Sequence, residues 1–547
     1  MSLFGSLYVG NSGLTTSQNA LNTVAHNMVN VDTQGYTRQQ VSLATKFYNT
    51  ISKSGSAVSY QQVGLGVSFT EVRQIRDYFL DKSYRKESGR SGFYDMSCDA
   101  IEEIEKIFQE LDGKSFAATL NNLWESVQEL SKDPSNTVNQ GIFIQRCSEF
   151  VTRSQAVYQD LSDYQDDLNF QVKQKVDKIN SIGKEIRSLN EEILKIESAQ
   201  VEHANDLRDQ RNKLIDELSE YASLNINTDI DGNYIIQIEG VDFVTVGDSK
   251  EIGLYQDPVN GFYTPYWVQL APKDPITGMV SETTIKGAEV FDLNMPISTE
   301  LNTDIGALKS ALVARGDRRT TYEDLDPSKY DSIKDSVVMN IMAEFDQLVH
   351  DITTGINDTI VSAAKDYYGG TLPTSGYLID SATGEPYKIF DVASNENSIN
   401  HAADPEAWKY DYVTPNIMIN AKLKQSPSLL GFIRPDGIVD QGCADNLKKL
   451  FTEEEHTLNP EVKTKTSLRD YYNNLISQVA NTGSVMRGIS ANQEITVTNI
   501  SASREQILGV SSDEELSNMI MFQNAFNASS RYINTVSEMM EHLINSL

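Results

Sequence analysis

The sequence predicts a multidomain, mainly α-helical protein with β-rich outer lobes. Through most of the interior, apolar residues recur at steps of three and four, the period of an amphipathic helix. Two interior stretches, 225–300 and 366–440, instead hold β-branched and aromatic runs separated by glycine, proline and aspartate. Both chain ends carry an apolar stripe at helical spacing, and we expect these amphipathic end helices to pair as a coiled coil. The 547 residues suit several domains.

The N-terminal stripe lies in a segment without charge. No Lys, Arg, Asp or Glu precedes Asp32, and His26 is the one basic side chain before it, although the chain has a net charge of -31. Its apolar residues fall at heptad-related spacings, with Gly10 and Ser17 at small positions: Leu7, Leu14, Leu21, Val24 and Met28. Such a stripe is most often ordinary core. A helix that is neutral on every face, however, suits a protein-lined environment.

The C-terminal stripe runs to the last residue. Its residues follow one another at steps of three and four, with Ser529 between Phe526 and Ile533 and the others apolar: Met519, Phe522, Phe526, Ile533, Val536, Met540, Leu543 and Leu547. Chain ends are ordered only where something ties them down. We therefore predict that the two stripes together form an assembly interface.

Between the ends, the longest predicted helix runs over 161–196, where steps of three and four persist for ten intervals. It follows a break at Asp133-Pro134-Ser135 and precedes a second helix over 205–222. A short hairpin is predicted over 56–72, and helices return over 305–315, 333–364, from 444 and over 467–501. We expect a terminal coiled-coil domain (1–45 with 505–547), a helical rod-like domain (46–224 with 301–365 and 441–504), a β-rich lobe (225–300) and a second β- and loop-rich lobe (366–440).

Composition argues against several classes of partner. Lys and Arg total 46 against 77 Asp and Glu, so binding to nucleic acid has little electrostatic support. A run of about 20 apolar residues is absent, so we expect no membrane insertion. Cys98, Cys147 and Cys443 are far apart and odd in number, which favours small buried apolar side chains over a disulfide framework or a zinc site.

We predict no catalytic, cofactor-binding or metal-binding residues, and no enzymatic activity. Gly113-Lys114-Ser115 resembles the end of a phosphate-binding loop, but Phe108 stands where that loop needs glycine. Asp229, Asp231 and Asn233 resemble the start of a calcium loop, but the sixth position is Tyr234 and not glycine, so a tight turn at Asp231-Gly232 is favoured. The histidines are dispersed.

A short motif after the first helix resembles a known family. It consists of Asn27, Asn30, Thr33, Gly35, Tyr36 and Arg38. These residues resemble the N-terminal motif of bacterial flagellar rod, hook and hook-associated axial proteins, and residues 509–539 are similar to the C-terminus of the same family. The block ANDLRDQRNKLIDELS at 204–219, with KSF at 114–116 and DPS at 133–135, resembles the family member at the junction between hook and filament.

This resemblance implies a structural component of the bacterial flagellum that joins hook to filament. Such a protein is exported through the flagellar type III channel without a cleaved signal peptide, and polymerises outside the cell through its terminal helices. The implied partners are further copies in an axial layer, the flagellar hook protein, the filament adaptor (hook-associated protein 3) and an export chaperone on the C-terminal helix. The alternatives are a hook or distal-rod protein, a coiled-coil scaffold or adhesin and, in a different class, an extracellular enzyme carried in the β-rich lobes.

Overall fold

The computed structural model describes residues 3–46, 48–53, 60–109, 115–198, 202–229, 233–273, 278, 280–401 and 406–546. Gly113-Lys114, Asp231-Gly232 and Leu547, which the sequence analysis singled out, lie outside these ranges. The described chain is mostly helical. Its helices are α1 (Leu3–Val29), α2 (Tyr78–Gln109), α3 (Phe116–Lys132), α4 (Thr137–Glu197), α5 (Asn205–Tyr221), α6 (Glu282–Ile285), α7 (Ala307–Arg315), α8 (Val337–Tyr367), α9 (Glu396–Asn400), α10 (Ala421–Gln425), α11 (Gln441–Thr452), α12 (Leu468–Leu508) and α13 (Ser512–Ser546).

The strands are short and antiparallel, and they form small separate sheets. They are β1 (Gln39–Thr45), β2 (Tyr48–Lys53), β3 (Tyr60–Gly64), β4 (Val67–Gln74), β5 (Leu224–Thr228), β6 (Tyr234–Ile238), β7 (Val241–Val244), β8 (Ile252–Gln256), β9 (Tyr263–Trp267), β10 (Phe390–Val392) and β11 (Ile417–Ile419). The described residues also form 3-10 turns at Tyr322–Leu325, Tyr330–Ser332, Ala407–Asp411, Thr414–Asn416 and Pro427–Leu429. The prediction of a mainly helical multidomain protein with β-containing regions is confirmed.

The predicted long helix is present and is longer than expected. α4 has 61 residues and starts after the predicted Asp133-Pro134-Ser135 break, where the side chain of Asn136 accepts a hydrogen bond from the amide of Val138. Most of its periodic apolar residues are buried, Leu161 and Ile186 among them, whereas Tyr164 and Leu189 are half-buried and Ile196 is exposed. One continuous apolar core joins α4 to α2, α3, α5, α7, α8, α11 and α12, and extends into both β-containing regions. All three cysteines are buried and free, as predicted.

The hairpin after α1 differs from the prediction. We expected a short hairpin within 56–72, but β1 pairs with β4 from Gln39 opposite Gln74 to Thr45 opposite Val67, and β2 pairs with β3 beyond them. Sequence pattern failed here because β1 is largely polar and lies against helix α1, so it lacks strict alternation. The predicted domain division at residue 45 separates β1 from β4, and we propose that the four strands form one unit instead.

The two lobes differ in structure. In the first, β5, β6 and β7 form a three-stranded sheet and β8 pairs with β9. In the second, β10 and β11 are the paired strands, and the rest consists of short helical turns and loops. Among the described residues, no helix has the length and apolar character needed to cross a membrane.

The two ends of the chain return to one place. α1 and α13 pack along one another and run antiparallel, since Gly10 lies against Ile533 while Gly13 lies against Ser529. The predicted pairing of the terminal helices is therefore confirmed. The hairpin covers another side of α1, where the amide of Val67 donates a 3.3 Å hydrogen bond to Oγ of Ser12.

Candidate assembly site

Small residues allow the terminal helices to approach closely. A Cβ atom added at Gly10 would lie 2.7 Å from Cγ1 of Ile533, and one added at Gly13 would lie 2.7 Å from Oγ of Ser529. Both distances are shorter than van der Waals contact, so neither position accommodates a side chain without movement. The sequence analysis had placed Gly10 among the small positions, but it missed Gly13.

The structure distributes the predicted interface residues unevenly. Val24 and Val536 are buried, and Leu543 is 51% exposed. The rest of those described are half-buried: Leu7, Leu14, Leu21, Met28, Met519, Phe522, Phe526, Ile533 and Met540. These two stripes are thus only partly covered within a single chain.

A second apolar set on the same helix pair points to solvent, and the sequence analysis did not select it. On α13 its members are Leu516, Ile520, Met521, Tyr532, Met539 and Ile544, and on α1 they are Phe4, Tyr8 and Val29. Phe4 is 73% exposed and Ile520 is 53% exposed. Exposed apolar groups that recur along one element mark an interaction surface. One signal for this set was present in the sequence: α1 has no charged face. The sequence analysis noted this but did not list these exposed positions.

The predicted family motif forms a joint at the end of α1. Asn27 is 1% exposed and binds the first residue of β1 twice, because its Nδ2 donates to the carbonyl oxygen of Gln39 at 2.8 Å and its Oδ1 accepts from the Gln39 amide at 3.0 Å. The hydroxyl of Tyr36 also donates to Asn27 Oδ1, at 2.8 Å. The polar side chain therefore fixes the direction in which the chain leaves the helix. Burial, followed by the charges of Asp206 and Asp209, raises the pKa of Tyr36.

The remaining motif residues build the turn between α1 and β1. Asn30 donates from Nδ2 to the carbonyl oxygen of His26 at 3.0 Å and accepts from the hydroxyl of Thr33 at 3.1 Å. Gly35 has a φ of 85°, which glycine adopts without strain. The turn thus depends on side chains that bond their own backbone and on one left-handed residue.

Arg38 connects this joint to the other end of the chain. Its amide donates to the carbonyl oxygen of Leu508 at 2.8 Å, at the last residue of α12. Its guanidinium binds the first turn of α13, with Nε 2.8 Å from Oε1 of Glu515 and Nη2 2.9 Å from Oε1 of Glu514. Acidic residues in the first turn also suit the positive end of the α13 helix dipole.

Asp209, from the interior block that resembles the junction protein, anchors the joint to the helical body. Its carboxylate accepts hydrogen bonds from the amide of Thr37 at 3.0 Å and from the Thr37 hydroxyl at 2.6 Å. Burial raises the pKa of Asp209 to about 6. The sequence analysis quoted Asp209 only as part of the 204–219 block and did not pair it with Thr37, because a pair separated by 172 positions leaves no local pattern.

The joint offers chemistry for holding segments together. Within the described ranges, no group of three or more His, Cys, Asp or Glu side chains is arranged to hold a metal ion. The motif residues instead exchange hydrogen bonds and ion pairs between α1, β1, α5, α12 and α13.

Comparison with known proteins matches these same regions. A family model described as "Flagellar hook-associated protein FlgK helical domain" matches residues 101–359. A model described as "Flagella basal body rod protein" matches residues 7–37, and one described as "Flagellar basal body rod FlgEFG protein C-terminal" matches residues 506–547. The two shorter matches coincide with α1 and its joint and with α13.

Relatives match over the full length. The chain is 26% identical to flagellar hook-associated protein 1 of Bacillus subtilis, covering 100% of this chain and 99% of that one. It is 23% identical to flagellar hook-associated protein 1 of Salmonella typhimurium, over 98% of each. The structure of the flagellar hook junction protein FlgK from Burkholderia pseudomallei has the same fold, with a TM-score of 0.53 at 12% identity, over 80% of this chain and 100% of that one. Over its whole length the chain is therefore similar to flagellar hook-associated protein 1 of these bacteria.

Proposed function

We propose that this flagellar protein forms the structural layer that joins hook to filament, and that it polymerises through its terminal helices after export. The observation that carries the proposal is the outward-facing apolar set on the α1–α13 pair, which stays exposed within the described part of the chain. The hook junction named for the Burkholderia pseudomallei relative and the hook association named for the others support this position in the flagellum.

Burial of the outward-facing set gives a driving force for assembly. Covering one Leu, Ile, Met or Phe side chain contributes roughly 1.5–3 kcal/mol. Several such residues on each copy would meet those of neighbouring copies in an axial layer. The joint is polar and is held by the buried side chains of Asn27 and Thr37, whereas the helix pair carries exposed apolar side chains. The proposal therefore assigns orientation to the joint and association to the helices.

The proposed partners follow from this position. They are further copies of the chain in the same layer, the hook protein below and the filament adaptor, hook-associated protein 3, above. An export chaperone is proposed to cover the apolar residues of α13 before export. We propose an extracellular location reached without a cleaved signal peptide.

Two alternatives are an enzyme in the β-rich lobes and a position in the hook or distal rod. The hook-associated protein 1 family is structural, so the prediction that the chain is not an enzyme is confirmed and an enzyme in the β-rich lobes is not supported. A hook or distal-rod position is disfavoured by the full-length similarity to hook-associated proteins, because the match includes α4 and α5 as well as the ends.

The test is deletion of the gene, followed by electron microscopy of the cells and an assay of flagellin in the medium. Hooks without filaments, together with flagellin released outside, are the expected result. Cells without hooks would place the protein in the rod or hook, and normal filaments would contradict a junction role. Restoration by the plasmid-borne wild-type gene is the control.

A further inference from the structure

Six charged side chains form an alternating row beside the joint, which we call the charged ladder. In order along the row they are Asp209, Arg76, Asp81, Arg504, Asp216 and Arg85. Three positive and three negative charges cancel, and none of the six side chains is more than 18% exposed. The cost of removing these charges from water offsets much of their mutual attraction, so the row adds little net stability. A buried charge without its partner is strongly destabilising, so the row constrains how the helices that carry it pack together.

Arg504 is the centre of the ladder. Its Nε lies 2.7 Å from Oδ1 of Asp81 on α2, and its Nη2 lies 2.6 Å from Oδ2 of Asp216 on α5. Its guanidinium also lies over the ring of Tyr84, 4.7 Å from the ring centre. One planar side chain thus ties α12 to two other helices at once, a geometry that the point charge of lysine does not reproduce.

The other pairs complete the row on either side. Arg76 binds Asp81 at 2.5 Å and lies 3.8 Å from Asp209, the carboxylate that holds Thr37. Arg85 binds Asp216 at 2.7 Å. The ladder therefore runs from the joint into the helical body without interruption.

The place of Arg504 along α12 gives the ladder a consequence for the terminal helices. Arg504 lies one turn before Leu508, where α12 ends, and residues 509–511 alone separate that end from α13. The carbonyl oxygen of Leu508 accepts a hydrogen bond from the amide of Arg38. A shift in the last turn of α12 would therefore move the start of α13 and the joint together.

We propose that Arg504 is a positioning residue, which holds the last turn of α12 against α2 and α5 and so fixes the direction in which the α1–α13 pair leaves the helical body. Its importance for assembly rests on the proposed function, in which that pair contacts neighbouring copies. The geometric statement itself concerns the isolated chain and is tested there.

The substitution Arg504→Met isolates this role. It removes both ion pairs of the guanidinium and its contact with the Tyr84 ring, but leaves Asp81 paired with Arg76 and Asp216 paired with Arg85. The body should remain folded, because α12 packs along α2 over much of its length. Lys82→Met, at an exposed position next to Asp81 on α2, is the matched control.

The experiment is a pulsed electron-spin distance measurement on the full chain. Spin labels are attached at two exposed positions, Glu192→Cys on α4 and Asn524→Cys on α13. The chain without these two substitutions, which has only its three buried cysteines, measures background labelling. We expect one narrow distance distribution for the reference chain and for Lys82→Met. Arg504→Met should give a wider or shifted distribution, and Arg504→Lys an intermediate one.

An unchanged distribution in Arg504→Met, with unchanged circular dichroism, would overturn the proposal. If Arg504→Met fails to fold, Arg504→Lys decides the question, since a distribution like that of the reference chain would overturn it and a wider one would support it. If Arg504→Met gives a wider distribution but deletion of the gene leaves filaments normal, the proposed function is contradicted and the positioning role of Arg504 stands.

Discussion

Nε of Arg38 donates a 2.8 Å hydrogen bond to Oε1 of Glu515, and so joins the turn after the first helix to the first turn of the last helix. The Glu515 side chain is 2% exposed, and its other oxygen, Oε2, has no hydrogen-bond partner among the described residues. Burying a carboxylate in this way is tolerable because a cation meets it. The chain ends are thus joined by an ion pair between residues that are 477 positions apart as well as by the packing of α1 on α13.

The first prediction concerns this pair. Arg38→Met should destabilise the α13 helix start by about 3 kcal/mol, because it leaves the Glu515 carboxylate buried without a cation. Hydrogen exchange of the first-turn amides of α13 measures the effect. Adding Glu515→Leu should restore most of the protection, since the unpaired charge is then gone. Arg531→Met, an exposed arginine of α13, is the control and should leave exchange unchanged. Equal exchange in Arg38→Met and the parent chain would contradict this account.

The second prediction concerns the close approach of the helices. Gly10→Ala should weaken the α1–α13 pairing by about 1–3 kcal/mol, because the new methyl group overlaps Ile533. Ile533→Ala removes Cγ1 and should partly compensate in the double variant. Hydrogen exchange along α1 is the measurement. Gly488→Ala provides the contrast, since nothing lies within 4 Å of the added atom and helix propensity favours alanine. A Gly10→Ala chain with α1 as protected as before would show that the helices do not meet there.

The third prediction separates pairing from association. Ile520→Gln should leave the helix content of the isolated chain unchanged, because Ile520 is 53% exposed. It should remove about 1.5–3 kcal/mol from each contact with a neighbouring copy. We therefore expect fewer hooks with filaments when this variant replaces the wild-type gene, as counted by electron microscopy. Gln523→Ala, on the same helix and also exposed, should behave as wild type. Full filament numbers with Ile520→Gln would remove that residue from the proposed interface.

The fourth prediction is a pH dependence in the helical body. Glu344 is fully buried and binds Asn459 Nδ2 at 2.7 Å and Gln478 Nε2 at 3.0 Å, with no described cation beside it. Burial raises the pKa of Glu344 from 4.5 to about 7. The folded chain therefore holds a proton that the unfolded chain has lost, so stability should fall as pH rises from about 4.5 to about 7 and stay low above it.

Glu344→Gln removes that slope. At pH 8 the variant should be more stable than the parent chain by on the order of 1–3 kcal/mol, whereas at pH 4.5 the difference should nearly vanish. Urea unfolding at the two pH values measures this. Glu454→Gln, at an exposed position, serves as the control and should change stability little at either pH. A Glu344→Gln chain that is less stable at pH 8 would mean that the charged form is the one the fold requires.

The helices and the terminal pairing could be predicted because their signal is local. Along α4, the buried apolar residues from Leu161 onward recur at the spacing seen in the sequence, because they lie on one face of a single helix. The apolar stripe in the uncharged α1 and the C-terminal stripe likewise indicated two helices whose apolar faces needed a packing partner. The motif from Asn27 to Arg38 was selected by resemblance, and the structure supplies the hydrogen bonds that explain each residue type.

What could not be predicted depends on residues that are distant in the chain. Arg504, Asp81 and Asp216 meet only after three helices have packed, and each alone reads as an ordinary surface charge. β1 pairs with β4 because α1 supports the hairpin, which no local alternation revealed. Ile520 and its neighbours escaped selection because the stripe facing α1 was the more regular one.

The location of the protein in the intact flagellum tests the account most directly. Antibodies raised against residues 225–300, followed by gold labelling of purified hook–filament complexes, would show that location by electron microscopy. We expect gold in a single narrow band where hook meets filament. Gold along the whole hook, along the filament or at the rod would contradict the assignment of this chain to the junction.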